Sequence, residues 1–137
     1  SNPLFGIDYG DFVRGCHLGI FPSYYEPWGY TPLECMARGI PSVTSDLSGF
    51  GDYIMNNYAK PEKNGIYVVE RGRRDYHWAV NQLAVMLHEF TKLDRRQRIV
   101  LRNSTENESV KFDWQNLITH YETAYIKAVN TGELMER

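Results

Sequence analysis

Two glutamates separated by seven residues, Glu26 and Glu34, lie in the aromatic-rich stretch Phe21-Pro22-Ser23-Tyr24-Tyr25-Glu26-Pro27-Trp28-Gly29-Tyr30-Thr31-Pro32-Leu33-Glu34. Glu26 sits between Tyr25 and Pro27, where a carboxylate caps nothing. Pro27 holds it extended rather than helical, so it can project into a cleft, and its reading is functional. Thr31, Pro32 and Glu34 are spaced as the N-cap, first and third residues of a capping box. A helix starting there offers free backbone N–H groups and a positive dipole end, which suit a phosphate. Gly29 lets the backbone approach a ligand closely. The capping box is sufficient to explain Glu34, so cap and ligand contact stand level for it. Trp28 and Tyr30 read as cleft wall, valued more for backbone position than for side chain.

A second pattern is Arg95-Arg96-Gln97-Arg98 with Arg102. On a helix, Arg95, Arg98 and Arg102 fall within about 60° of one another, and Glu106 can neutralise only one of them. A solvated charged face is the usual meaning of such a run. Guanidinium forks also suit phosphate. Nucleic acid is disfavoured by a net charge of −2 and by the lack of any accompanying motif.

The elements that must position these groups follow from the surrounding pattern. Asp8 caps a short helix ended by Gly15, and Leu18–Phe21 is a strand closed by Pro22. A helix from Thr31 stops at Gly39, and a strand covers Ile40–Thr44. Ser48–Gly51 is a glycine-rich turn before a helix at Asp52–Asn57, and Gly65–Val69 is the clearest strand. Alternating strands and helices imply right-handed βαβ units and a parallel sheet, with ligands outside the carboxyl ends of the strands. From Asp75 only helices follow. The first packs a stripe of Val80, Leu83, Ala84, Leu87 and Phe90 or Thr91 on the core, the second starts near Leu93, and the third carries Leu117, Ile118, Tyr121, Tyr125 and Val129 at helical spacing.

Composition agrees with a globular α/β chain. Apolar residues are 42% and charged residues 23%, which excludes a disordered tail, and aromatics reach 14%. No stretch is long or apolar enough to span a bilayer, and no secretory signal is visible, so a cytoplasmic location is expected. Cys16 and Cys35 read as reduced thiols, and no metal-ligand spacing occurs. A three-stranded sheet is thin for a free-standing doubly wound domain, and both ends read as cut.

Glu26 and Glu34, on this strand, loop and helix, resemble the donor-site motif of retaining GT-B glycosyltransferases. The run Asp8-Tyr9, Phe12 through Pro32, then Gly39-Ile40-Pro41-Ser42, Leu47-Ser48-Gly49-Phe50-Gly51 and Arg95-Arg96-Gln97-Arg98 resembles the eukaryotic glycogen synthases. The likeness runs from about residue 7 to about residue 126. It implies residues 1–74 as part of the C-terminal Rossmann-like lobe of a GT-B fold, and 75–137 as a helical segment with a regulatory helix.

The resemblance further implies transfer of glucose from UDP-glucose to the non-reducing end of an α-1,4-glucan, with retention and no cofactor or metal. Glu26 would contact the transferred glucose near the anomeric centre, and Glu34 the ribose region. Gly29, Tyr30 and Thr31 would serve the diphosphate beside Trp28, and Tyr9 would stack on the uracil. Arg95 and Arg96, with Arg98 and Arg102 as the gripping pair, would bind the effector glucose 6-phosphate. Implied partners are a glycogen or α-glucan acceptor, glycogenin and further copies in a tetramer, with no nucleic acid and no membrane. The resemblance also implies that the acceptor lobe and the basic residues facing the diphosphate precede this segment, and no lysine or arginine stands near Glu26 in the sequence. Ser104 and Asn107 replace frequent arginines and Glu108 a leucine, which reduces the cationic surface for phosphorylated tails. A non-catalytic nucleotide-sugar or sugar-phosphate binding and assembly module is the alternative.

Overall fold

The computed structural model describes residues 6–135, with side chains through residue 131. Its order is α1 (Tyr9–Gly15), β1 (Gly19–Ile20), α2 (Tyr30–Met36), β2 (Ser42–Ser45), α3 (Gly49–Asn57), a 3₁₀ turn (Pro61–Asn64) and β3 (Ile66–Val69), followed by α4 (Tyr76–Thr91), α5 (Arg95–Ser109), a second 3₁₀ turn (Val110–Phe112) and α6 (Trp114–Met135). The strands form one parallel sheet in the order β1-β2-β3, with Gly19 opposite Ser42 and Ser42 opposite Ile66.

Both faces of the sheet are covered, as a parallel sheet requires. Along β3, Ile66 and Val68 join Met36, Phe50 and Ile54 on one face. Val69 and the half-buried Tyr67 join Val43, Ala79, Leu83 and Met86 on the other. This alternation is the strand period of two. All of β2 is buried, so it is the spine of the domain.

Three helix starts differ from the sequence reading. α2 begins at Tyr30 with Gly29 as its N-cap and no side-chain cap, so the Thr31–Glu34 capping box is not formed. The φ of 127° at Gly29 turns the chain into the helix two residues early. Pro32 then falls third in the helix, where a missing N–H still costs nothing. α3 begins at Gly49, because the Ser48 hydroxyl accepts from the Gly51 amide at 2.9 Å, so the glycine-rich turn is its first turn. α5 begins at Arg95, fixed by a capping box between Asp94 and Gln97.

The stripe of α4 is also rotated from the one expected. Ala79, Leu83 and Met86 face the sheet and Phe90 meets the Tyr67 ring, whereas Val80 is 45% exposed. This helix is apolar on several sides, and the face that carries buried Ala79 is the one packed on β3. On α6, Ile118, Tyr121, Tyr125 and Val129 are exposed. Among the described residues, no helix is long and apolar enough to cross a membrane. Both thiols are free, and burial pushes Cys35 up.

Candidate functional site

The loop after β1 rejoins the sheet at Glu26, which makes a parallel bridge to Ser48. The Gly49 amide donates to the Glu26 carbonyl at 3.0 Å, and the Phe50 amide to the Trp28 carbonyl at 2.7 Å. Glu26 is thus fixed at the carboxyl end of the sheet by the start of α3. Its half-buried carboxylate accepts from the Ser23 hydroxyl at 3.2 Å, while the Ser45 hydroxyl holds the Ser23 carbonyl at 2.6 Å. The carboxylate is oriented by a neutral hydroxyl, and among the described residues no ion pair occupies it.

The other residues of the loop and α2 divide by role. Trp28 packs in the core, its ring 5.9 Å from Phe50 and 6.2 Å from Tyr53. Tyr30 is 70% exposed. Trp28, Tyr30 and Glu34 line a cavity of about 630 Å³ between α2 and α6, opposite Phe112, Trp114 and Tyr121. Glu26 and Thr31 lie outside that lining, and Gly29 is buried at the helix start.

With no capping box, the exposed Glu34 carboxylate turns to the Tyr9 phenol. Shielding from water raises the Tyr9 pKa first, and the charge and hydrogen bond of Glu34 raise it further. Arg38 closes the group, donating to the Glu34 carbonyl at 2.7 Å and lying 6.0 Å from the Tyr9 ring centroid. Tyr9 and Glu34, distant in sequence, therefore stand together with a cation beside them.

Sequence reasoning missed Arg71. The order of residues leaves the Glu26 loop without a basic neighbour, yet Arg71, just past β3, reaches it through space. Its guanidinium donates to the Pro22 carbonyl and lies 3.6 Å from the Tyr24 ring centroid. The signal is its place at a strand's carboxyl end beside Gly72, a turn that faces the same rim.

At the opposite end of the sheet, Arg95, Arg98 and Arg102 line a cavity of about 300 Å³ with His17, Pro41, Phe90 and Ile99. Arg96 is outside the lining. His17 was also missed; it precedes β1 as Pro41 precedes β2, so both lie at the amino end. Arg102 donates to the Cys16 and Arg14 carbonyls at 3.4 and 3.5 Å. Among the described residues, no carboxylate pairs with any of the three arginines, and Glu106 does not neutralise Arg102. Two of them stand in the first turn of α5, where the helix dipole is already positive. The arrangement is organised for an anion.

α5 is seated closely on α2 and on the turn before β3. A Cβ on Gly65, whose φ is 71°, would come within 1.9 Å of the Thr105 hydroxyl. Ser104 and Glu108 serve this seating. Ser104 donates to the Lys63 carbonyl at 3.3 Å. Buried Glu108 accepts from Tyr58 at 2.5 Å and pairs with Lys111 at 2.7 Å.

Known proteins resemble this chain along nearly its whole length. A family model described as Glycogen synthase matches residues 1–132. The chain is 54% identical over 120 residues to the glycogen [starch] synthase of Caenorhabditis elegans, covering 88% of this chain and 18% of that protein. It is 53% identical over 124 residues to the human liver glycogen [starch] synthase, covering 90% and 18%. For the Dictyostelium discoideum glycogen [starch] synthase the identity is 52%, covering 90% and 14%. The chain therefore spans less than a fifth of the length of these relatives. With the matched segment carrying both the Glu26 loop and the arginine helix, the chain belongs to the glycogen synthase family.

Proposed function

We propose that this chain is the donor-binding and effector-binding part of an enzyme that transfers glucose from UDP-glucose to the non-reducing end of an α-1,4-glucan with retention. The observation that carries the reading is Glu26, held at the carboxyl end of a parallel sheet with a carboxylate that no cation occupies among the described residues. There it can meet the glucose near the anomeric centre. The Tyr9–Glu34 pair and the adjoining cavity give the nucleoside an aromatic ring and a carboxylate. The uncapped start of α2 leaves Gly29, Tyr30 and Thr31 to serve the diphosphate with oriented N–H groups, without reorganisation.

The arginine cavity is the effector site of this reading, with Arg98 and Arg102 gripping the phosphate of glucose 6-phosphate and Arg95 and His17 beside it. Arg96 belongs to the same helix but not to the cavity. The GT-B lobe assignment of residues 1–74, the regulatory segment 75–137, the tetramer, the glucan acceptor and glycogenin belong to the same proposal. The isolated 137-residue chain is expected to show no glucosyl transfer, because the acceptor lobe lies elsewhere. The test is incorporation of glucose from UDP-glucose into glycogen by the full-length protein, with the anomer of the new bond read by NMR. A β-linked product, or no incorporation with an intact donor loop, overturns the reading.

A further inference from the structure

The carboxyl end of β3 does more than close the sheet. Asp46, just past β2, accepts from the Arg71 amide at 2.6 Å and from the Gly72 amide at 3.0 Å, which fixes the chain as it leaves β3. From this anchored backbone the Arg71 side chain reaches back over the loop after β1. Its fork meets the Pro22 carbonyl and its plane covers the Tyr24 ring, 3.6 Å from the centroid. The next carbonyl, Ser23, is held by the Ser45 hydroxyl at 2.6 Å, and the Ser23 hydroxyl holds the Glu26 carboxylate at 3.2 Å. Two side chains from two strand ends therefore grip successive carbonyls of the segment whose own hydroxyl orients Glu26. Asp46 takes the Arg71 amide and not its guanidinium, so among the described residues the cation has no carboxylate partner.

We propose that Arg71 is a positioning residue for Glu26, fixing the Pro22–Tyr24 backbone so that the carboxylate stands at one place on the rim. The inference rests on the catalytic reading of Glu26. A guanidinium engaged through Nη1 and through its plane acts as a structural peg. Small displacements of a reacting group lower the chemical step far more than they lower substrate affinity.

The test uses the full-length protein and initial rates with UDP-glucose, for Arg71→Ala, Arg71→Lys, Glu26→Ala and the Arg71→Ala/Glu26→Ala double variant. The expected result for Arg71→Ala is a loss of about ten- to a hundredfold in kcat with the donor KM within about twofold. Arg71→Lys should recover only part, because an ammonium has neither fork nor plane. In the Glu26→Ala background the Arg71→Ala loss should fall below about twofold, since no carboxylate is left to position. Should Arg71→Ala not fold, Arg71→Lys carries the same comparisons. A kcat within about twofold of wild type while Glu26→Ala is inactive sinks the positioning role alone. So does a large rise in donor KM at constant kcat, or an undiminished loss in the Glu26→Ala background. Glu26→Ala with the wild-type rate sinks the catalytic reading, and this proposal with it.

Discussion

The two ends of this sheet hold two candidate sites built on opposite plans. At the carboxyl end, Glu26 is set on a loop by hydroxyls and backbone amides, with Ser23, Ser45 and Gly49 each contributing one bond. At the amino end, Arg95, Arg98 and Arg102 are set by the pitch of a single helix, packed on α2 and on the turn before β3. A site on a loop takes its geometry from many distant residues, whereas a site on a helix face carries most of its geometry with it. The first should therefore fail through loss of chemistry, and the second through loss of effector contact or of seating.

The largest effect is expected at the loop. Glu26→Ala in the full-length protein should lower kcat by about 100- to 1,000-fold, with the melting temperature nearly unchanged, because the side chain supports no packing. The effector should still raise the residual rate by the wild-type factor. Retention of more than a tenth of wild-type kcat would show that the two ends do not divide chemistry from control.

Next comes the Arg98→Ala/Arg102→Ala double variant. Each charge-assisted bond contributes about 1.5–3 kcal/mol, so activation at ordinary glucose 6-phosphate concentrations should vanish while basal transfer persists. An activation curve that superimposes on wild type would reduce these arginines to a solvated face.

Gly65→Ala tests the seating of α5 rather than its charges. The positive φ and the collision with Thr105 should cost on the order of 1–3 kcal/mol, read as a lower unfolding midpoint. The effector response should weaken before basal kcat does. Equal loss of both would mean that the two ends share one rigid unit.

The smallest effect is expected for Tyr58→Phe, which leaves buried Glu108 with Lys111 alone and should cost about 1.5 kcal/mol, the low end for a bond to a charged group. Burial and then the Glu108 hydrogen bond push the Tyr58 phenol up from its ordinary value. A raised pKa in the folded state means a contribution present below about pH 10 and lost as the pH rises toward the folded value. Wild type should therefore lose stability more steeply than Tyr58→Phe in alkaline denaturation. Parallel curves would remove this pair from the seating.

Local features were readable where one residue decides them. Asp8 caps the helix that follows it, only helices follow from Asp75, and the three strands appear where short apolar runs end in turn residues. The start of α2 was misplaced because Pro32 is compatible with any position in a first turn, while the backbone of Gly29 decides which one is used. The working face of α4 was misplaced because an apolar helix has several candidate stripes, and the sheet selects one. At the sites, the Glu26 loop and the arginine face were both legible, but Arg71 and His17 were not.

What the sequence alone determined is therefore what travels along the chain: the alternation of strands and helices, the extended backbone at Glu26 before Pro27, and the common face of Arg95, Arg98 and Arg102. These follow from bond geometry and helical pitch, which act over a few residues. Only the tertiary structure placed Arg71 on the Pro22–Tyr24 segment, the Arg102 side chain on the turn before His17, Tyr9 against Glu34, and Tyr58 on Glu108. Those contacts join residues far apart in the chain, and their existence depends on strand order and on which helix face the sheet buries. Neither is set by any local pattern of residue types.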